Sequence, residues 1–512
     1  MTTRLAARPD GTGLRGPGPP GHRARTPRRL PHALSAGIRP ARWSTRRPVP
    51  AAPARHPSCR ETAARPTAPP PARPRRPPAR SHRHATLPPP PGAPAGPWTP
   101  PSPYPCRRRL PMTDDNEAIT CPFDYSEALE FDPALTELMR HKSPTRIRLG
   151  YGDADAWLVT GFEAVKQVTT DHRLSRAGII GHDYPRMTPE PIVSPESVNV
   201  MDPPHSTRVR SLASQAFTQK HVEVMRHRIA RLADLLLDEM EQAGPPADLV
   251  RYLSNPLPQH TILDLLGIER QEWPRIEESV HQLLVVGADT KEAAATAKAD
   301  LTAYFAKLVE QRRHAPGTDL ISAMAAARDG AEQLDDRELA VMALTLALSG
   351  QDTATCEISN IVYLLLTRPE LMEHLRSRPE TLSDVLHEML RFIPFRKGVG
   401  IPRLALEDVD LDGVRIRAGD FVHVSYLTAN RDPDRYRDPH VIDVDRPNSP
   451  HMTFGWGGHR CIAMPLAMAE LEVAIGRLIE RFPRLRLVVP PEEVRWDTDT
   501  IRRFPLRLPV AW

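Results

Sequence analysis

The chain has 512 residues, 58 prolines, 5% aromatic residues and a formal net charge of +5. That charge is unevenly split: residues 1–111 hold 22 Arg and no Lys against Asp10 and Glu61, a charge of +20, which leaves −15 for residues 112–512. No run approaches the ~20 uncharged apolar residues of a membrane span, and no secretory signal is present. The five cysteines (Cys59, Cys106, Cys121, Cys356 and Cys461) are an odd number and widely scattered, which excludes a disulfide scaffold. A soluble, cytoplasmic, acidic body behind a very basic leader is expected.

The leader, residues 1–111, contains runs such as PTAPPPARPRRPPAR. Proline at this density forbids useful helices, and the segment has too little apolar surface to offset its ordering entropy, so disorder is expected. Its arginines would suit nucleic acid or an anionic membrane. A transit peptide fits less well, because such peptides need an amphipathic helix. A third reading is that the segment is not part of the native protein, since MTDDNEAITCPFDY from Met112 resembles a fresh start.

Residues 112–512 show no internal repeat and no linker, which predicts one large domain. TRIRLGYGDADAWLVTG alternates as a hairpin does, with its turn at Gly152-Asp153. Helical periodicity dominates from about Thr207 to Phe392, clearest in HVEVMRHRIARLADLLLDEMEQ and ELAVMALTLALSGQDTATCEISNIVYLLL. A β-rich stretch follows, LALEDVDLDGVRIRAGDFVHVSYLTANRD, with turn chemistry at Asp412-Gly413 and Ala418-Gly419. A helix after Cys461 and a strand pair in LRLVVP and FPLRLPVAW close the chain. The predicted fold is mainly α with a minor β-sheet region.

Two stretches carry chemistry. FGWGGHRC, Phe454 to Cys461, places one cysteine after three glycines and just ahead of a helix. Unpaired amides and the macrodipole there favour an anionic sulfur, which predicts a lowered thiol pKa. A lone cysteine in a loop is more often a buried structural residue. ALSGQDTAT puts Gly350, Asp352 and Thr353 inside a helix that is apolar nearly all round. Burying an acid there is costly unless it is paired. A threonine can bond back to the carbonyl four residues earlier and open a local bulge. Such a groove suits an acid and an alcohol relaying protons to a buried ligand, and a polar patch for helix packing is the plainer reading. EMLR, DPPHSTRVR and IPRLALEDV are each weak signals on their own.

Together these stretches resemble the bacterial cytochrome P450 haem-thiolate monooxygenases, over essentially all of residues 112–512. FGWGGHRC is similar to the family's haem-binding loop, SGQDT to its oxygen-activating helix motif, and EMLR to its Glu-x-x-Arg. The resemblance implies haem b with Cys461 as the axial thiolate on iron. It further implies Phe454 and Gly455 in the loop, and Arg210, Arg403 and His459 at the propionates. Asp352 and Thr353 would handle protons, and Glu388, Arg391 and Arg446 would form a structural triad. Two departures stand out: Ala463 occupies the family's usual glycine position, and Ser206 replaces a histidine that is displaced here to His205.

Activity, by the same resemblance, is activation of dioxygen to oxidise a small molecule, with electrons from NAD(P)H through a ferredoxin-type donor and its reductase. The substrate is expected between the helix around Ala347–Asp352, the 179–200 loop and the segment after Pro394. A monomer with no stable nucleic-acid or membrane partner is expected, tailoring a specialised metabolite such as a polyketide, a cyclic dipeptide or another peptide. The rival chemistry is oxidative C–C or C–N coupling. A rival class is a haem sensor or carrier, against which the Asp352-Thr353 pair argues, since a passive site needs no proton relay.

Overall fold

Period-two alternation at the start and period-3.6 apolar faces thereafter produce the elements predicted from them. The computed structural model describes residues 118–512 apart from 122, 124, 126, 448 and 449, and the leader expected over 1–111 lies outside the described residues. The strands are β1 (Ile119–Thr120), β2 (Thr145–Arg148), β3 (Ala156–Val159), β4 (Leu174–Ser175), β5 (Ala247–Asp248), β6 (Arg403–Ala405), β7 (Val409–Leu411), β8 (Val414–Ile416), β9 (Phe421–Val424), β10 (Arg486–Leu487) and β11 (Pro509–Ala511). The helices are α1 (Pro133–Arg140), α2 (Phe162–Thr170), α3 (His205–Ser214), α4 (Gln219–Ala243), α5 (Pro256–Leu265), α6 (Trp273–Leu284) and α7 (Lys291–His314). They continue with α8 (Leu320–Ala326), α9 (Asp336–Thr367), α10 (Pro369–Ser377), α11 (Leu382–Phe392), α12 (Tyr426–Ala429) and α13 (Met464–Arg481).

The expected hairpin is β2–β3, antiparallel with Thr145 opposite Leu158, and Gly152 in its turn adopts φ 98°. It belongs to a six-stranded sheet of order β1-β2-β3-β9-β6-β4, in which β3 and β9 run parallel. The β-rich stretch supplies β6 to β9, with Asp412 and Gly413 at φ 46° and 80° between β7 and β8. The terminal pair β10–β11 gains β5 as a third strand.

Helix α9 is the axis of the helical layer and packs against α5, α7 and α13. It starts in a capping box, where Asp335 accepts from the Glu338 amide and Glu338 accepts from the Asp335 amide. It stays α-helical through Ala347–Thr355, with no bulge at SGQDT. Gly350 is there for packing: a Cβ would lie 2.8 Å from Ile262 on α5, so the two helices meet at that glycine. Forcing a methyl into such a contact costs ~1–3 kcal/mol. Among the described residues no helix is long and apolar enough to cross a membrane.

Candidate active site

The loop before α13 is folded tightly. Gly455 and Gly457 take φ 75° and 68°, and a Cβ on Gly457 would lie 2.5 Å from the Thr169 carbonyl oxygen at the end of α2. The amides of Gly455 and Arg460 donate to Met452 (2.8 Å) and Gly457 (3.1 Å), and Cys461 N–H donates to the Phe454 carbonyl at 2.8 Å. Phe454 and Cys461, the two ends of the motif, are thereby brought face to face. Cys461 is exposed. Enough protein surrounds it that desolvation raises its thiol, while the Ala463 amide, Arg210, Arg460 and the Met464 amide pull it back. The amides ahead of α13 do reach the sulfur, but the expected lowering is corrected, because in the protein alone burial outweighs them. A metal cation facing the sulfur would reverse the balance, since a coordinating thiol is deprotonated outright.

Grouped with Arg210, which acts on Cys461, is a set of polar groups with unpartnered atoms. Arg403 on β6 is buried, and neither of its terminal nitrogens has a hydrogen-bond partner. The same holds for His459 Nδ1, Arg176 Nε and the Tyr426 hydroxyl. Tyr426 is near enough to favour the charged Arg403. Burial and mutual repulsion hold Arg176 down to about 9 and His459 down to about 2. Arg210 on α3 donates to the Arg460 carbonyl, and burial lowers it too. Asp202 is close, yet its oxygens already serve the Ser175 hydroxyl and the Arg176 amide.

Asp202 is the one carboxylate acting on both Arg176 and Arg403, and burying cations with so little counter-charge costs several kcal/mol each. A flat anionic group would offset that cost. The donor set and the exposed thiol fit haem: Arg210, Arg403 and Arg176 would hold its carboxylates, and Cys461 would hold its iron. Arg176 and Tyr426 are additions that the sequence did not single out. Nothing in the spacing of HRLSR or SYLTAN marks them, and β4, β6 and α12 bring them in from distant positions. Ser206 is buried, its amide bonded to Asp202 at 3.0 Å, while exposed His205 reaches Glu338 at 3.0 Å. The displaced histidine therefore serves the start of α9 and stands apart from the cation cluster.

On α9, the Thr353 hydroxyl donates to the Ser349 carbonyl at 2.9 Å. Asp352 is buried and ion-paired on both sides, to Arg396 Nη2 at 3.3 Å and Arg502 Nε at 3.5 Å. Burial raises its carboxyl, and Arg396 and then Arg502 oppose that rise. The three segments expected around a substrate meet here. Arg396 follows Pro394, and Ser197 of the 179–200 loop lies 3.2 Å from Thr345 on α9. Between that loop, α6, α7 and α9 is a cavity of about 50 Å³ lined by Ile192, Val193, Leu283 and Leu348.

Behind the loop, Arg391 Nε and Nη2 grip the two Glu388 oxygens at 2.8 Å each, and Arg446 Nε joins at 3.1 Å. Arg391 also donates to the Asn430, Pro439 and Val441 carbonyls, fastening α11 to the segment that leads into the loop. Both charges of the central pair are almost wholly buried. Glu388→Ala would leave Arg391 uncompensated, and removing one partner of such a pair costs ~3–5 kcal/mol. The denaturation midpoint should fall accordingly, and a midpoint within experimental error of the parent would remove the triad from the stability argument.

Comparison with known proteins shows the family. The family model for cytochrome P450 matches residues 259–501. The chain is 42% identical over 392 residues to nocardicin C N-oxygenase of Nocardia uniformis subsp. tsuyamanensis, covering 76% of this chain and 98% of that protein. It is 38% identical over 391 residues to mycinamicin IV hydroxylase/epoxidase of Micromonospora griseorubida, again covering 76% and 98%. Among solved structures, cytochrome P450mel 107F1, described as having biaryl coupling reactivity, superposes with a TM-score of 0.76. It is 55% identical, and the match covers 77% of this chain and all of that one.

Proposed function

The chain belongs to the cytochrome P450 family, and from that premise we propose that it is a haem-dependent monooxygenase whose site is built on Cys461, Asp352 and Thr353. The observation that carries this reading is the exposed Cys461 near Arg210, which is grouped with Arg176, Arg403 and His459; Arg176 Nε, Arg403 Nη1 and Nη2 and His459 Nδ1 lack hydrogen-bond partners. Cys461 would hold the iron. Arg210, Arg403 and His459, joined by Arg176, would hold the propionates, while Phe454 and Gly455 shape the loop. Bound there, haem supplies dioxygen activation, and a thiolate ligand favours O–O cleavage. The Thr353 hydroxyl would hold a proton at Oγ1, and Asp352 would replace it from Oδ1 or Oδ2.

The substrate class follows from the relatives, an N-oxygenase and a hydroxylase/epoxidase from bacteria. It is a specialised metabolite, a polyketide, cyclic dipeptide or other peptide, taken up between the 179–200 loop, α9 and the segment after Pro394. Electrons come from NAD(P)H through a ferredoxin-type donor and its reductase, to a monomer in the cytoplasm.

The solved relative with biaryl coupling reactivity supports a second reading, in which two substrates are joined and no oxygen enters the product. Labelled dioxygen separates the two. Candidates that shift the Soret band are turned over, and the product is weighed. Monooxygenation puts label into the product. An unlabelled product with the mass of two substrates less two hydrogens would overturn it in favour of coupling.

A further inference from the structure

Three side chains form a hydrogen-bonded file from α11 to the loop that ends in Cys461. His387 on α11 meets His451 at 3.0 Å, Nδ1 to Nε2, and His451 Nδ1 lies 2.9 Å from Thr453 Oγ1. Thr453 Oγ1 donates to the Leu390 carbonyl at 2.8 Å and accepts from Asn430 Nδ2 at 2.9 Å. The Asn430 amide is held that way round because its Oδ1 accepts from Met452 N–H at 2.6 Å. At the loop end the His451 ring packs against Phe454, with centroids 5.9 Å apart, and the Phe454 carbonyl accepts from Cys461 N–H.

The hydrogens of this file all point one way. Thr453 has a single hydroxyl hydrogen, which goes to Leu390, so His451 Nδ1 must carry the hydrogen it shares with Thr453. The Thr453 amide, 3.4 Å from that nitrogen, is beyond the usual hydrogen-bond range. His451 Nε2 is then a bare lone pair, and His387 donates to it through Nδ1. A second proton on His451 would set two N–H groups face to face. Burial, then His387, Arg391 and Arg460, hold this imidazole down to about 3. His387 is placed differently. No hydrogen bond holds its Nε2 among the described residues, and it lines a cavity of about 330 Å³ with His374, Asp384, Asp445 and the Glu388, Arg391 and Arg446 triad. It can take a proton at Nε2 and keep its bond to His451. Burial lowers its proton affinity, Asp384 on its own helix and Glu472 on α13 oppose that, and Arg460 of the loop adds to it.

We propose that His387 is a positioning residue for the haem: through His451 and Thr453 it holds the Phe454 end of the loop, and a proton it takes from the cavity is felt at the iron as a shift in potential. Positive charge behind the loop favours the reduced iron, since hydrogen bonding and charge around a thiolate-held iron tune its potential. The proposal rests on the reading of Cys461 as the iron ligand.

The test is a spectroelectrochemical titration of the haem-loaded protein between about pH 5 and 8, the range in which imidazole titrates. The ratio of ferrous to ferric haem is read at one fixed potential. The His387 Cε1–H resonance is followed by NMR in the ferrous carbon-monoxide form. In the parent the ratio should rise several-fold as pH falls, with the midpoint of the His387 resonance. His387→Gln keeps a donor for His451 but takes no proton, so it should keep the parent's carbon-monoxide band and lose that step. His387→Leu removes the donor, leaves His451 Nε2 unpaired and should displace the band at every pH, a displacement that Gln avoids. Asp384→Asn should move the midpoint of both readings downward, since a carboxylate favouring the charged imidazole is gone, and it serves if the His387 variants do not fold. A parent ratio with no step at the His387 midpoint, or a step unchanged in His387→Gln, would overturn the proposal alone. A parent without the red-shifted carbon-monoxide band would instead overturn the Cys461 reading and the proposal with it.

Discussion

Replacing Cys461 with serine is expected to abolish the red-shifted Soret band of the ferrous carbon-monoxide complex, and turnover with it. Oxygen in that position lacks the electron donation of a thiolate to iron. Arg176, Arg210, Arg403 and His459 are untouched by the change, so the variant should still take up haem, with a spectrum altered in position as well as in intensity. The other described thiols offer no substitute. Cys121 is buried with its thiol pushed up to about 12, and Cys356 is buried in α9 with its thiol raised well above its ordinary value. A variant that keeps both the band and turnover would place the axial ligand elsewhere.

What could be read ahead of the structure was local or strongly patterned. The helix through SGQDT, the β2–β3 hairpin and the four strands after Arg403 follow from period, turn residues and apolar length. The glycines of FGWGGHRC foretold a tight loop, and Gly455 and Gly457 do take left-handed backbone angles. What escaped depends on contacts between distant segments. Thr353 suggested a local bulge in α9, but the helix runs through unbroken, and Gly350 instead meets Ile262, 88 positions away. The arginines on Asp352 come from residues 396 and 502, on segments outside any strand that meet through an isolated bridge too short to leave a pattern. The amide effect at Cys461 was legible, whereas the desolvation that outweighs it was not, because burial is a property of the whole fold.

Thr353→Ala is expected to leave haem spectra and substrate-induced spectral shifts within about two-fold, while cutting product per electron by about 10² and diverting the reducing equivalents to hydrogen peroxide. The substitution removes one hydroxyl and one methyl from a helix that does not need them. The Thr353 side chain bonds back to Ser349 within its own helix, and alanine is a better helix former than threonine. Folding should therefore be unaffected, so lost product reports on chemistry. Asp352→Asn is a less direct probe, since it also breaks buried ion pairs with Arg396 and Arg502. Thr353→Ser restores the hydroxyl without the methyl and should recover most of the coupling, which separates a role in proton handling from one in packing. Peroxide release and product are measured together at fixed electron supply, because slow reduction alone would lower both in proportion. Fully coupled turnover in the Thr353→Ala protein would mean that protons reach the bound dioxygen by another route, with ordered water or a different side chain taking the place assigned to Oγ1.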